Sequence, residues 1–245
     1  KLNLIMPMGG GGTRFLGSGF EKPKPLIEIY GKPFFYWATR SVQKFVPLES
    51  LTFIVLQEHI ERFEIDAEIK KHFPSANIIA IPKVLPGAVL TCIEGAKSVA
   101  EGEPILFNDC DHAFLCKPFY DFCANSKFSE LDGGLLTFKS TDPRFSFAQC
   151  DEDGSVVRTV EKQAVSENAI CGAYYFKDKR TFLNAAEVYL NNCAYKEYFV
   201  SGVYNVLAKN GGKIALFETD EHISFGTPEE YESAKKDEKW RNLYV

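Results

Sequence analysis

The stretch Leu2–Arg14, which reads LNLIMPMGGGGTR, decides the fold. Its first part, Leu2–Met8, has the length and the apolar composition of a buried β-strand, and Gly9–Gly12 follow it directly. Because glycine lacks a Cβ atom, this loop can bring its backbone close to a ligand and offer several N–H donors to phosphate oxygens. A strand that runs straight into such a loop predicts an α/β domain that binds a phosphorylated ligand.

Cations follow the glycine loop closely. Arg14 ends it, and Lys22 and Lys24 come shortly afterwards. A guanidinium and two ammonium groups supply the charge that a triphosphate requires. Two common phosphate loops do not fit: no lysine completes a Walker A pattern, and Phe15 stands where a dinucleotide-binding fingerprint needs its third glycine. The loop therefore belongs to another type of phosphate site.

The rest of the chain alternates short apolar runs with amphipathic stretches, which predicts a mainly parallel sheet flanked by helices. Within it, Glu58–Phe73 is predicted to form one charged surface helix. Farther along, Asp153-Gly154 lies between two alternating apolar runs and predicts an antiparallel hairpin. Repeats, low-complexity segments and flexible linkers are not evident, so we predict a single domain over residues 1–245.

Composition narrows the function classes. The 245 residues are 45% hydrophobic, enough for a full core. The net charge of −5, without a long basic run, argues against nucleic-acid binding. The seven cysteines form no C-x-x-C pair, so neither a zinc site nor a disulfide framework is predicted. Reduced thiols and a first apolar run too short for a membrane span predict a cytoplasmic protein without a membrane partner. The oligomeric state is not predicted.

Three motifs near the start carry a family resemblance. Met8–Arg14, then Lys22–Leu26 (KPKPL) and Gly31–Pro33 (GKP), resemble the signature of the sugar-1-phosphate nucleotidylyltransferases, or nucleoside-diphosphate-sugar pyrophosphorylases. Weaker similarities continue in the expected order at Pro86-Gly87-Ala88, Cys110-Asp111, Glu161-Lys162, Gly172-Ala173-Tyr174 and Phe225-Gly226-Thr227-Pro228. The resemblance implies a Rossmann-like (GT-A-like), mostly parallel α/β fold with an antiparallel acceptor-binding subregion. We expect a minimal member without the β-helix extension of this family.

The resemblance also implies an activity: transfer of a nucleoside monophosphate from a nucleoside triphosphate to a sugar phosphate, or a similar phosphorylated alcohol, with release of pyrophosphate. Residues 1–130 would form the nucleotide-binding half and residues 131–245 the acceptor-binding half. The attacking phosphate oxygen is already an anion at neutral pH, so the reaction needs positioning and charge neutralisation rather than a general base. This requirement agrees with the lack of a recognisable Ser-His-Asp or Cys-His set.

Roles for individual residues follow from the resemblance. Arg14 would hold the β- and γ-phosphates, and Lys24 would lie over the α-phosphate, where charge changes most. Lys162 would receive the acceptor phosphate, with Glu161 beside it near the sugar hydroxyls. The implied nucleotide-binding residues are Met8, Gly9, Gly10, Gly11, Gly12, Thr13 and Gly87. The implied acceptor-binding residues are Glu161, Lys162, Gly172 and Tyr174.

Metal binding is expected at the end of the strand that precedes Asp109-Cys110-Asp111. Asp111 is the main candidate ligand for Mg²⁺, and Asp109 is a second ligand or a helix cap. The family usually supplies another aspartate late in the chain, at the start of a helix. The matching region, Tyr198–Asn205, contains no acid. Ser201 or Asn205 could replace that ligand weakly, or Asp109 could compensate for it.

Two other functions remain open on the sequence. Asp109-Cys110-Asp111 is a D-x-D motif, as in glycosyltransferases that use nucleotide-sugar donors, but a donor without a γ-phosphate leaves Arg14 and Lys24 unexplained. The missing late aspartate is also compatible with a nucleotide-binding protein of weak or no catalytic activity.

Overall fold

A computed structural model describes residues 1–243, so the last two residues of the predicted domain lie outside the described residues. The strands in the described part, in chain order, are β1 (Leu2–Met8), β2 (Glu28–Ile29), β3 (Lys32–Pro33), β4 (Leu48–Leu56), β5 (Asn77–Ile81), β6 (Ile105–Asn108), β7 (His112–Leu115), β8 (Gly133–Lys139), β9 (Ser146–Cys150), β10 (Val156–Glu161), β11 (Asn168–Phe176), β12 (Ile214–Glu218) and β13 (Glu221–Ser224).

Helices connect and flank these strands. They are α1 (Thr13–Leu16), α2 (Phe34–Gln43), α3 (Gln57–Phe63), α4 (Ile65–His72), α5 (Ala88–Ala96), α6 (Lys117–Asn125), α7 (Lys179–Asn192), α8 (Val200–Lys209), α9 (Pro228–Ala234) and α10 (Trp240–Leu243). Short 3₁₀ turns cover Lys24–Leu26 and Phe128–Glu130.

Nine strands form the main sheet. Its longest path runs β10-β9-β11-β6-β1-β4-β5, and β8 and β12 extend it beside β11. The strands from β6 to β5 along this path pair in parallel. β11 pairs antiparallel with β6, β8 and β9, β10 pairs antiparallel with β9, and β12 pairs in parallel with β8. This topology confirms the predicted fold class, a mostly parallel sheet with an antiparallel subregion in the second half of the chain.

The centre of the sheet positions the ligand-binding loops. β1 lies between β4 and β6, and both pairings are parallel. The register sets Ile5 opposite Phe107, so the loop after Met8 and the loop after Asn108 leave the sheet at the same edge. In open α/β sheets, ligands bind in the crevice beyond the carboxyl ends of parallel strands, where neighbouring connections diverge. The glycine loop and the aspartates therefore line one crevice.

Strand alternation distributes the core over both faces of the sheet. Leu4 and Met6 pack on one face with α2 and α4, whereas Ile5 packs on the other face with α5 and α7. A third, smaller cluster is mostly aromatic and surrounds Phe15 of α1, with Phe34 and Phe225 among its members. It anchors the end of the glycine loop against the last part of the chain.

The predicted single helix Glu58–Phe73 is wrong. The structure has two helices, α3 and α4, separated by Glu64, whose φ of 51° is left-handed and ends α3. The break turns the chain so that Ile65 and Ile69 are both completely buried. Burial of these two side chains outweighs the cost of a left-handed non-glycine residue, which is about 1–2 kcal/mol.

The hairpin around Asp153-Gly154 is confirmed, because β9 and β10 form an antiparallel pair. At the start of α9, the Thr227 hydroxyl accepts a hydrogen bond of 3.2 Å from the Glu230 backbone N–H and so caps the helix. The pair formed by β7 and β13 was not predicted. It joins the segment after Asp111 to a segment more than a hundred residues later, a pairing that local patterns do not reveal.

Candidate active site

Two adjoining cavities open at the carboxyl edge of β1 and β6. The smaller, of about 370 Å³, is lined by the glycine loop and is here called the nucleotide cavity. The larger, of about 610 Å³, is lined by β11, by the ends of β9 and β10, by the start of α8 and by the segment from β13 to α9, and is called the acceptor cavity. Five residues line both cavities and form the seam between them: Arg14, Ala88, Asp109, Asp111 and Phe199.

The glycine loop packs tightly at its first residue. A Cβ atom on Gly9 would approach Ile81 Cδ1 to 2.6 Å, so only glycine fits between β1 and β5 without displacement. Gly12 has a φ of 60° and caps α1, and a Cβ there would come within 3.3 Å of Lys24 Cβ. The loop thus brings its own backbone and the Lys24 side chain to the same cavity wall.

Lys24 and Asp111 form an ion pair at the seam. Lys24 Nζ donates to Asp111 Oδ2 at 3.0 Å, and the two side chains are 24% and 22% exposed. Desolvation is the largest single influence on each group and disfavours both charges, but the ion pair and the neighbouring charges together outweigh it. The pKa of Lys24 is therefore raised and the pKa of Asp111 is lowered, so both groups carry charge at neutral pH.

Asp109 has the opposite electrostatic environment. Desolvation, reinforced by the nearby Asp111 carboxylate, raises the pKa of Asp109 above its ordinary value, although Lys24 acts against this shift. A cation bound beside the two carboxylates would favour the ionised form of Asp109. Carboxylate oxygens are the ligands that Mg²⁺ prefers, so the donor set fits that ion.

Glycines make room for both aspartates. A Cβ on Gly172 would lie 2.5 Å from Asp109 Oδ2, and one on Gly226 would lie 2.6 Å from Asp111 Oδ2. Gly172 also has a φ of 80°, and its carbonyl accepts a hydrogen bond from the Asp109 backbone N–H. These contacts explain two of the glycines in the resemblance, since a larger residue at either position would displace a carboxylate.

Glu161, at the end of β10, is held by hydroxyl groups. Ser146 Oγ and Ser201 Oγ both donate to Glu161 Oε2, at 2.5 and 3.0 Å. Tyr174, on β11, is buried in the same cavity wall, and burial raises the pKa of its hydroxyl, which stays protonated. The arrangement presents a fixed carboxylate and a neutral phenol, which suit a polyhydroxylated ligand.

Lys162 supplies the flexible cation of the acceptor cavity. It is exposed, its φ is 55°, and its Nζ lies 5.9 Å from the centroid of the Phe199 ring. Its backbone N–H donates to the carbonyl of Phe145 at 3.0 Å, which holds the turn after β10 in place. The ammonium group therefore sits near the seam while remaining free to move toward an anion.

The start of α8 lacks the aspartate that the resemblance implies there, and its polar side chains already form hydrogen bonds within the protein. Asn205 Oδ1 accepts from the Thr159 backbone N–H at 2.8 Å, and Asn205 Nδ2 donates to the Thr159 carbonyl at 3.1 Å. Ser201, 3% exposed, donates to Glu161. Both side chains therefore tie α8 to β10. Of the three residues that the sequence offered in place of the missing late aspartate, Asp109 is the better placed.

Gly87 is required by the protein itself. Its φ is 114°, and a Cβ atom there would approach the Tyr198 backbone N to 2.4 Å. The segments pair through hydrogen bonds of 3.3 Å from Tyr198 N to the Pro86 carbonyl and from Val89 N to the Tyr198 carbonyl. Gly87, which the resemblance implies in nucleotide binding, is thus also needed for the close packing of two loops, its own and that of Tyr198, and both loops line the nucleotide cavity.

Most of the predicted site residues are brought together. Met8, Gly9, Gly10, Gly11, Lys24 and Gly87 line the nucleotide cavity, and Glu161, Lys162, Gly172 and Tyr174 line the acceptor cavity. Among the described residues, Gly12 and Thr13 line neither: they begin α1 behind the loop. The sequence did not indicate Phe199, which lines both cavities, or Arg144, which lines the acceptor cavity. Neither residue belongs to a motif that would mark it.

The sequence matches the nucleotidyl transferase family over residues 2–240. The chain belongs to this family. The match confirms the resemblance inferred from the glycine loop and the later motifs. A search of the curated proteins gave no match.

Solved structures share the fold of this nucleotidyl transferase. A nucleoside-diphosphate-sugar pyrophosphorylase from Vibrio cholerae RC9 is 23% identical, with a TM-score of 0.81 over 96% of this chain and 100% of its own. A protein assigned as a glucose-1-phosphate thymidylyltransferase from Bacillus anthracis is 16% identical, with a TM-score of 0.77 over 96% and 94%. The inositol-1-phosphate CTP transferase from T. maritima is 14% identical, with a TM-score of 0.75 over 99% and 94%.

Over residues 1–243, no helix combines the length and the hydropathy needed to cross a bilayer.

Proposed function

We propose that this nucleotidyl transferase moves a nucleoside monophosphate from a nucleoside triphosphate to a sugar phosphate, or to a similar phosphorylated alcohol, and releases pyrophosphate. The observation that carries the proposal is the seam: two cavities of different character meet at Arg14, Asp109 and Asp111. A donor in one cavity and an acceptor in the other would meet there, as an in-line displacement at phosphorus requires.

The nucleotide cavity takes the triphosphate. Backbone N–H groups of Gly9–Gly11 face phosphate oxygens, and Arg14 holds the two phosphates that leave as pyrophosphate. Lys24 reaches the α-phosphate from the seam, since its side chain packs on the loop at Gly12 and its ammonium group lies beside Asp111. Charge that develops on the transferred group is met by cations already in place, and such preorganised electrostatics is usually the largest contribution to catalysis.

The acceptor cavity takes the phosphorylated alcohol. Lys162 binds its phosphate and swings it toward the seam, while Glu161, held by Ser146 and Ser201, accepts hydrogen bonds from hydroxyl groups. The acceptor phosphate is already an anion, so none of these residues has to remove a proton from it. The acceptors named for the structural neighbours, a glucose phosphate and an inositol phosphate, agree with a polar, hydroxyl-binding cavity.

Mg²⁺ is the proposed cofactor, held by Asp111 and Asp109. When bound, it supplies positive charge that neutralises the phosphates. Asp109 provides the second carboxylate that the start of α8 lacks. The seven free thiols of the chain support a reducing, cytoplasmic setting for the reaction.

The test is an incubation with each of the four common nucleoside triphosphates, Mg²⁺ and a panel of sugar and alditol phosphates. We expect pyrophosphate release that depends on one acceptor, together with a nucleotide-sugar product detected by mass spectrometry. The matched control is Asp111→Asn, which preserves the shape of the seam and should lose nearly all turnover. Tight nucleotide binding without pyrophosphate from any acceptor would instead identify a binding protein, and transfer from a nucleotide sugar without pyrophosphate would identify a glycosyltransferase.

A further inference from the structure

Three side chains in the wall of the acceptor cavity have no role in the proposed reaction. They are His112 on β7, Cys171 on β11 and His222 on β13, and their donor atoms all lie within 4.8 Å of one another. Since Ser224 pairs with His112 in the β7–β13 ladder, His222 lies two residues away and on the same face as His112. The ladder and β11 thus bring together two imidazoles and a thiol from distant parts of the sequence.

Each imidazole of this cluster has one unused ring nitrogen. His112 Nδ1 and His222 Nε2 are buried and have no hydrogen-bond partner, and His112 is only 2% exposed. A buried polar atom without a partner destabilises the fold, and such an atom in a native protein calls for an explanation. Two of them in one cluster with a thiol point to a ligand that accepts lone pairs.

The neighbours of His112 orient it as metal-bound histidines are oriented. Its Nε2 lies 2.7 Å from Asn108 Oδ1, while Asn108 Nδ2 donates to the Ala38 carbonyl at 3.0 Å. Asn108 therefore offers an oxygen, so His112 donates from Nε2 and keeps a lone pair on Nδ1. A hydrogen bond from the other ring nitrogen is the usual support of a metal-ligating histidine. The His222 ring is stacked on Phe138 at 4.2 Å between centroids, which restrains it as well.

We propose that His112 Nδ1, Cys171 Sγ and His222 Nε2 form a binding site for Zn²⁺, separate from the Asp109-Asp111 pair. Imidazole and thiolate are the ligands that zinc prefers, whereas Mg²⁺ prefers oxygen. A tetrahedral zinc ion needs these donors about 3.3–3.6 Å apart, so they move together by roughly an ångström when the ion binds. The Cys171 thiol releases its proton to solvent in this step.

The position of the site defines what else the ion can bind. All three residues line the acceptor cavity, so an ion with three protein ligands keeps an open coordination position that faces the cavity. Water or an oxygen of a small ligand completes the shell there. The zinc site is inferred from its three donor atoms alone and does not depend on the reaction proposed above.

Cobalt provides a direct test, because Co²⁺ substitutes for Zn²⁺ and gives a thiolate-to-metal charge-transfer absorption only when a cysteine is a ligand. The full chain, with Mg²⁺ present to occupy the carboxylates, is titrated with Co²⁺. We expect one equivalent to produce the band and one equivalent of Zn²⁺ to abolish it. Cys171→Ser should remove the band, and His222→Gln should weaken Co²⁺ binding at least tenfold.

The matched control is Cys150→Ser, which removes a partly buried thiol outside the cluster and should keep the band. Thermal unfolding in EDTA establishes that each variant folds, and His222→Gln, at a partly exposed position, serves if Cys171→Ser does not fold. Absence of the band in the unmodified protein, or a band of equal strength in both cluster variants, would overturn the proposal. Neither result bears on pyrophosphate release, so this site and the proposed reaction fail separately.

Discussion

The nucleotide cavity and the acceptor cavity are built in different ways. The first is centred on the glycine loop: it has three glycines in one stretch, a fourth at Gly87, and cations a short distance along the chain. The second is formed by side chains from strands and helices that are distant in sequence, with Glu161 held by Ser146 and Ser201. A cavity built around one glycine loop can therefore be recognised in the sequence as a contiguous motif. A cavity lined by side chains from distant segments appears in the sequence only as scattered residues.

The largest expected effect tests the nucleotide side. Lys24→Ala removes the cation at the seam and leaves Asp111 without its partner, so kcat should fall about 10²- to 10³-fold. Lys22→Ala is the matched control. The sequence placed this lysine among the cations near the glycine loop, but it is exposed and lines neither cavity, so its loss should change kcat less than twofold. Steady-state pyrophosphate release measures both. A loss below tenfold for a folded Lys24→Ala would remove Lys24 from the chemistry.

The second largest effect is expected on stability, from a substitution beside Asp109 at the seam between the cavities. Gly172 and Gly154 have nearly the same φ, 80° and 81°, but a Cβ atom meets Asp109 at Gly172 and open space at Gly154. Gly154→Ala should cost about 1–2 kcal/mol from backbone strain alone. Gly172→Ala should cost about 2 kcal/mol more, because an atom is forced against a carboxylate. Equal losses in urea unfolding would show that the contact with Asp109 is unimportant.

A smaller effect is confined to the acceptor side. Lys162→Ala should raise the KM for the acceptor phosphate about 10- to 100-fold, since a charge-assisted contact is lost, and leave the KM for the nucleoside triphosphate unchanged. Lys209→Ala, an exposed lysine near the end of α8, is the control. If both KM values rise together, the two cavities do not divide the substrates as proposed.

The smallest expected effect depends on pH. The pKa of Asp109 is raised from its ordinary 3.8 to about 7 by desolvation and by Asp111. At a pH between these two values, Asp109 is protonated in the folded state and ionised in the unfolded state. Stability therefore falls as pH rises through this window. Without Mg²⁺, Asp109→Asn should remove the loss of stability that accompanies a rise of pH from 3.8 to about 7.

The control for this measurement is Asp153→Asn, at an exposed position in the β9–β10 turn. It should leave the dependence of urea unfolding on pH unchanged. An unaltered pH profile in Asp109→Asn would mean that Asp109 is ionised as readily in the folded chain as in the unfolded one.

Local patterns accounted for the elements whose stability is local. The buried strand before the glycines, the Asp153-Gly154 turn and the Thr227 cap each depend on a few adjacent residues. The predicted helix Glu58–Phe73 failed because its helical pattern is continuous and the break at Glu64 is stabilised by distant packing of Ile65 and Ile69. A left-handed glutamate has no local signal.

The same distinction separates the two parts of the site. The sequence by itself marked the glycine loop, the cations that follow it and the aspartates, because a loop and a strand end are set by neighbouring residues. Tertiary structure alone decided that Phe199 reaches the seam, that Ser201 and Asn205 are engaged with β10, and that His112, Cys171 and His222 meet. These contacts depend on how β7, β11, β13 and α8 pack, and no residue in them is near its partners in the chain.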